Sequence, residues 1–199
     1  MENVKMEKVL VVPSNLVGPF LGSRSFITDK IPEFIQMVID NHIYVDRDYA
    51  EYAKEYKQII PYAILRNGDK VFLTQRLKKQ TEKRLHGMYS FGLGGHINPS
   101  EEEKENVILA GMQRELAEEV GLSDISKCQC VGIINDCSTE VSNYHIGLAY
   151  IVPAFTNIQV VENQKMTGSW ASTEEISSSF ENLESWSKIV WENRDIWNL

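Results

Sequence analysis

The sequence predicts an α/β (α+β) domain, a mixed β-sheet flanked by helices, and three observations carry that expectation. Asn67-Gly68 stands between two apolar runs, residues 59–65 and 70–75, which is a strong short-range hairpin signal. Residues Val107–Val120 have helical apolar spacing and stop at Gly121. Two further apolar runs, 130–135 and His145–Pro153, read as strands ahead of a helical tail. At 199 residues, 43% of them hydrophobic, the chain is long enough to bury a sizeable core.

Taken in order, residues 9–13 form a short apolar strand that Pro13 ends. Residues 14–30 contain glycine and mixed side chains and read as irregular. Ile31-Pro32 opens a helix whose apolar residues are Phe34, Ile35, Met37, Val38 and Ile39. Residues 46–57 read as a second helix, because Tyr49, Ala50, Tyr52, Ala53 and Tyr56 recur near helical spacing. After the hairpin comes a basic stretch with Arg76, Lys78, Lys79, Lys83 and Arg84, then the glycine-rich segment Ser90-Phe91-Gly92-Leu93-Gly94-Gly95-His96-Ile97. Residues 159–161 suggest one more short strand, and 172–176 and 181–194 two C-terminal helices. Trp170, Trp186, Trp191 and Trp197 all fall in that tail, where they are expected to pack it down.

Composition narrows the class of function. Twenty basic against twenty-eight acidic residues leave a net charge of −8, which disfavours loose binding to a phosphate backbone. No apolar run approaches the roughly 18 residues of a membrane span. The three cysteines cannot all pair, and Cys128 and Cys130 alternate as on a strand, so the expected compartment is the reducing cytoplasm.

The chemistry lies in the helix that ends at Gly121. At about 100° per residue, Glu115, Glu118 and Glu119 fall at roughly 0°, 300° and 40°, on one face. Leu109, Met112, Leu116 and Val120 form the adjoining apolar stripe, which docks the helix. Three like charges at that spacing repel one another. Arg114 offsets part of the cost, and a divalent cation would offset more, because carboxylate oxygens suit Mg²⁺, Mn²⁺ or Ca²⁺. A solvated acidic helix end is the competing interpretation of the spacing alone. Two helix starts are available. Ser100 with Glu103 makes a capping-box pattern, whereas Asn106 directly precedes the amphipathic run. Because 101–105 holds no apolar residue to dock a helix, the start at Asn106 is favoured, with the preceding residues looping out.

Gly94-Gly95, followed by Arg114-Glu115-Leu116-Ala117-Glu118-Glu119-Val120-Gly121-Leu122, resembles the Nudix box. All seven specified positions of its second half, Arg-Glu-aliphatic-any-Glu-Glu-any-Gly-aliphatic, are met. The order of hairpin, glycine loop, helix and strands resembles a Nudix domain from about residue 58 onward. The first half departs from the pattern: Gly95 and Arg114 stand nineteen positions apart instead of fourteen, an insertion of five. Asn106 occupies the place of a further family glutamate, and Glu101, Glu102, Glu103 or Glu105 could supply that carboxylate from the longer loop.

The resemblance implies a Nudix-like α/β/α sandwich that hydrolyses a diphosphate bond in a nucleoside diphosphate linked to another moiety. It implies metal at Glu115, Glu118, Glu119 and the Gly94 carbonyl, with Mg²⁺ or Mn²⁺ as cofactor. Arg114 resembles the box arginine that braces those carboxylates. For the general base, Glu140 is placed ahead of Glu162, Glu174 and Glu175, since it lies between two expected strands. Arg76, Gly95 and His96 are the expected substrate contacts, with His86 also near the glycine segment, and Tyr89 and Phe91 are assigned to the core. A zinc site on Cys128, Cys130 and Cys137 is disfavoured, because structural zinc wants four ligands.

Two other functions were weighed. A catalytically inactive Nudix-fold nucleotide sensor is suggested by the altered first half of the box. An isoprenoid-diphosphate isomerase lacks a cysteine near the glycine loop. The expected division is an N-terminal extension, 1–57, packed on a hydrolase domain, 58–199. Expected partners are a small nucleotide-like phosphorylated substrate and a possible second copy of the chain, with no membrane and no stable nucleic-acid partner.

Overall fold

The computed structural model describes residues 6–77, 87–101, 105–139, 142–155, 157–161 and 166–197, with the Glu101 side chain excepted. Nine strands among these residues are β1 (Lys8–Pro13), β2 (Phe26–Ile27), β3 (Ile43–Asp46), β4 (Tyr56–Asn67), β5 (Lys70–Arg76), β6 (Tyr89–Ser90), β7 (Gln129–Ile134), β8 (His145–Pro153) and β9 (Met166–Ala171). The α-helices are α1 (Ser14–Leu21), α2 (Ile31–Asn41), α3 (Arg47–Ala50), α4 (Val107–Val120), α5 (Thr173–Ser178) and α6 (Ser185–Glu192).

Strand β4 organises the sheet, whose main path runs β2-β7-β8-β4-β1-β3. It pairs with β8 in parallel over nine positions, from Gln58 opposite His145 to Arg66 opposite Pro153. Its side chains alternate as a strand buried on both faces requires. Ile59, Ala63 and Leu65 join one core with α1, α2 and α4, while Tyr62 and Ile64 join a second with α5 and α6. The molecule is therefore a mixed sheet between two helical layers, an α/β/α sandwich.

The β4–β5 hairpin is as expected, with the turn one residue later than the Asn-Gly pair suggested. Asn67 still pairs with Lys70, and Gly68, at φ +61, takes the first central turn position. The two strands stay paired only over Arg66–Val71 and Asn67–Lys70. Beyond them β5 turns to β6 and β9, which opens a gap beside the middle of β4. The glycine segment fills that gap: Ala63 and Leu93 exchange backbone hydrogen bonds of 2.7 and 2.9 Å, and the Leu10 amide donates to the Ile97 carbonyl at 2.8 Å.

Helix α4 runs over the expected residues. The Asn106 side chain accepts from the Ile108 and Leu109 amides, both at 3.1 Å, and Gly121 closes the helix at φ +68. Replacing Asn106 with alanine is expected to lower stability by about 1 kcal/mol, read from urea unfolding at unchanged m-value.

Several expectations need correction. Residues 14–30 are not irregular throughout: α1 forms because Val17 and Leu21 bury into the core beside Leu10 and Val12, despite Pro19 within it. Residues 46–57 are not one helix. Ala50 and Ala53 are buried but Tyr49 and Tyr52 are exposed, and the segment divides into the end of β3, the single turn α3 and the start of β4. Residues 159–161 form no strand, whereas β9, with polar Thr167-Gly168-Ser169, does, by pairing along β5. The aromatic tail is packed down. Trp170 meets Phe72, Trp186 meets Tyr62, and Trp191 and Trp197 both meet Phe91.

Strands from residues 6–57 are built into the same sheet. Strand β1 lies beside β4, and β2 reaches the far edge to pair with β7.

Candidate active site

The acidic face of α4 meets the glycine segment, and Arg114 ties them together. Its Nη2 donates to the His96 carbonyl at 2.7 Å, and its Nη1 donates to Glu115 Oε1 at 2.7 Å and Glu118 Oε2 at 3.3 Å. Two glycines make this approach possible. A Cβ on Gly94 would lie 2.1 Å from the Pro61 carbonyl oxygen, and one on Gly95 would lie 2.3 Å from the Glu115 carboxylate carbon. The loop backbone therefore sits directly against a strand on one side and a carboxylate on the other.

Glu115 is mostly buried, and Glu119 is half-buried with its carbonyl accepting the Val161 amide at 2.8 Å. The Glu118 side chain is 58% exposed. Three carboxylates on one helix face next to a glycine-loop carbonyl are hard oxygen donors of the kind Mg²⁺ and Mn²⁺ take. The space left by the missing Gly95 side chain keeps that loop within reach of Glu115. As they stand, Glu115 and Glu118 are turned onto Arg114, and among the described residues no three acidic, His or Cys side chains converge on one point. The donor set fits a divalent cation in chemistry, while in this structure Arg114 holds two of its members.

A cleft of about 600 Å³ opens on the other side of the glycine segment. Its floor is Ile60 and Tyr62 of β4 with Gly92, Gly94, Gly95 and His96. Arg76, at the end of β5, enters it and donates from Nε to Glu184 Oε1 at 2.6 Å. His96 also lines the cleft, as a neutral ring: burial pushes it down to about 3, and the nearby charges of Arg47, His145 and Arg114 act in the same direction. Tyr62 hydrogen-bonds Ser187 at 2.7 Å and Ser90 at 3.1 Å, and burial raises its hydroxyl well above the ordinary range.

The sequence singled out only part of this wall. Arg47, Glu51 and Tyr52 reach the cleft from the N-terminal extension, and Arg47 pairs with Glu7 at 2.8 Å and with Glu51 at 3.5 Å. Asp136, Ser142 and His145 enter from around the β7–β8 connection, and Glu184, Ser185 and Trp186 from the start of α6. No local pattern announces these residues, because three distant segments each contribute only three positions.

The base candidates divide. Glu140 and Glu162 lie outside the described residues, as do His86, Lys78, Lys79, Lys83, Arg84, Glu102 and Glu103. Glu174 and Glu175 sit in the first turn of α5, where Glu175 accepts the Ser172 amide at 2.7 Å and completes a capping box. Phe91 is buried in the core and Tyr89 packs against it. Cys128 and Cys130 are half-buried, Cys137 is exposed, and all three are free thiols.

The sandwich, the box helix and the glycine segment held beside it define a Nudix fold, and the chain belongs to the Nudix family. Protein YmaB of Bacillus subtilis (strain 168) is 31% identical over 169 residues, covering 81% of this chain and 82% of that protein. Tm1382, a protein assigned as a Nudix hydrolase, has a crystal structure that matches 94% of this chain and 97% of its own at a TM-score of 0.81 and 28% identity. The Nudix domain of Shewanella oneidensis NrtR, solved with ADP ribose, shares the fold at a TM-score of 0.54 and 15% identity, over 70% of this chain and 86% of that one. No family model matches the chain.

Proposed function

We propose that this protein is a divalent-metal-dependent hydrolase that cleaves the diphosphate bond of a nucleoside diphosphate linked to another moiety. The observation that carries the reading is the placement of Glu115, Glu118 and Glu119 behind a glycine segment whose other side floors a nucleotide-sized cleft. Glu115, Glu118, Glu119 and the Gly94 carbonyl would hold Mg²⁺ or Mn²⁺. Such an ion supplies charge neutralisation at the diphosphate and lowers the pKa of water.

The chain's own groups do the rest. Arg114 fixes Glu115 and Glu118 relative to the loop, so the donors are oriented before substrate arrives. Arg76 presents a guanidinium to phosphate oxygens from the cleft wall, and Glu184 fixes its angle. Gly95 presents backbone to the cleft and leaves the Glu115 carboxylate the room that a Cβ would take, and His96 offers a neutral ring for hydrogen bonding. Glu140 remains the proposed base. The ADP ribose held by the NrtR domain supports a ligand of this size and charge. The free thiols, and the absence among the described residues of a helix long and apolar enough to cross a membrane, agree with a cytoplasmic site of action.

The test is cleavage of nucleoside triphosphates, ADP-ribose, dinucleoside polyphosphates and sugar nucleotides with Mg²⁺ or Mn²⁺, read by chromatography of the nucleotide products, against an EDTA control. Turnover of at least one substrate, abolished by EDTA, is the expected result. Silence across the panel, with a ligand still raising Tm, would replace the hydrolase reading with that of a nucleotide sensor.

A further inference from the structure

The N-terminal extension places on the cleft an aromatic ring that the packing of the fold leaves in water. Tyr52 lines the cleft beside Arg47 and Glu51, and it is 76% exposed. Its neighbours along the chain are engaged: Tyr49 meets Tyr56 edge-on at 6.4 Å, and Ala50 and Ala53 are buried. The Tyr52 side chain makes no ring contact and no hydrogen bond among the described residues. A large ring left in water at a cleft gains when a flat apolar partner covers it.

We propose that Tyr52 stacks on the base of the nucleotide substrate, so that the extension supplies the base-recognition wall of the cleft. This role rests on the nucleotide reading above and gives it a specificity residue.

The turn that carries Tyr52 is fixed before any ligand arrives. Ala50 packs with Val9 and Val11 of β1. The Arg47 amide donates to the Glu7 carbonyl at 2.8 Å, and its guanidinium pairs with Glu7 and Glu51. The Tyr52 amide donates to the Tyr49 carbonyl at 3.1 Å. With Ala50 and Ala53 both turned into the protein, the tyrosine between them is presented outward on an ordered backbone. Binding a base therefore orders little besides the ring itself.

The chemistry of the ring selects which part of the substrate it faces. Phosphate oxygens are anionic, and the negative face of a phenol ring repels them. A nucleobase offers a π face of its own, and every base does so. The diphosphate has a separate proposed partner in Arg76, which Glu184 holds at 2.6 Å. Trp186 lines the same cleft from α6, but its ring also meets Tyr62 at 5.6 Å, so Tyr52 is the cleaner probe. A contact between two copies of the chain is the other use of such a ring, and the mass in solution separates the two.

The experiment is calorimetric titration, with Mg²⁺, of wild type, Tyr52→Ala and Tyr52→Phe with the α,β-methylene analogues of ADP, GDP, CDP and UDP. Methylenediphosphonate serves as the phosphate-only probe, and light scattering gives the mass of each protein. A melting curve checks the fold, and Tyr52→Leu takes the place of the alanine variant if that one unfolds. Tyr52→Ala is expected to lose about tenfold or more in affinity for the preferred nucleotide analogue. Its methylenediphosphonate binding and its mass should stay as in wild type, and Tyr52→Phe, which keeps the ring, should retain wild-type affinity throughout.

Equal losses for nucleotide and methylenediphosphonate would overturn the proposal, as would no loss at all. A phenylalanine variant as weak as the alanine one would assign the effect to the hydroxyl and overturn stacking. A changed mass with unchanged affinity would make Tyr52 a contact between copies instead. Wild type that binds no nucleotide analogue would overturn the proposal too. Nucleotide binding through Tyr52 without any turnover in the substrate panel would sink the hydrolase reading and leave this inference standing.

Discussion

Replacing Glu118 with glutamine is expected to lower kcat about a thousandfold and to move Tm by less than about 2 °C. The two magnitudes come from different places. The Glu118 side chain is 58% exposed and stands 3.3 Å from Arg114, so its ion pair is of the exposed kind that contributes little to stability. Removing its charge also relieves repulsion from Glu115 one turn back. Its proposed catalytic weight is of another order, because a carboxylate that held the metal would act on the charge that develops in the transition state. A loss of about 4 kcal/mol there corresponds to three decades in rate. Steady-state kinetics with Mg²⁺, beside a melting curve, separate the two effects. A folded Glu118→Gln enzyme with the wild-type rate would remove this carboxylate from the site. The same change at Glu115 is less informative, since Arg114 donates to that mostly buried side chain at 2.7 Å and the fold would share the loss.

Gly94→Ala should be the most damaging of the glycine substitutions around the site, with a stability loss of about 3 kcal/mol. The new Cβ would lie 2.1 Å from the Pro61 carbonyl oxygen, and that oxygen belongs to β4, which is paired with β8 along nine positions. Backbone in the middle of a sheet cannot step aside as a side chain can. Gly95→Ala meets the end of the Glu115 side chain at 2.3 Å, which can swing away, so activity should fall more than stability. Gly68→Ala calibrates the scale. It has open space and only its φ of +61 to resist the change, and about 1 kcal/mol is expected. Urea midpoints at constant m-value give the order directly. A Gly94→Ala protein as stable as Gly68→Ala would mean that the loop is not wedged against the strand.

These two positions also show what a reader of the sequence could and could not see. Helix α4 was legible to the residue, because its apolar period, its Asn106 cap and its Gly121 stop all agree locally. The carboxylates and Arg114 were legible for the same reason. Helix α1 was hidden, since Gly18 and Pro19 argue against a helix and only burial of Val17 and Leu21 against distant strands favours one. Tyr49 and Tyr52 misled in the opposite direction: both are exposed, so their place in the helical spacing reflects no buried face. Strand β9 carries Thr167, Gly168 and Ser169, and its pairing along β5 outweighs that weak propensity. The cleft was least visible. Arg47, Asp136 and Trp186 come from three distant segments of the chain, and nothing in a local window encodes their meeting in one cleft.

The far reach of β2 sets a problem of order during synthesis. Phe26 and Ile27 pair with Ile134 and Ile133 on β7, so this strand exists as a chain segment long before its partner does. At about 5–20 residues per second, the ribosome delivers β7 roughly 5–20 s after β2. Through that interval Phe26 and Ile27 have no sheet edge to join, while β1 finds β4 some 45 residues on, from Val11 to Gln58. The nascent chain therefore carries an early apolar segment that waits. During that wait it offers apolar side chains of the kind that chaperones shield, and the finished fold buries both.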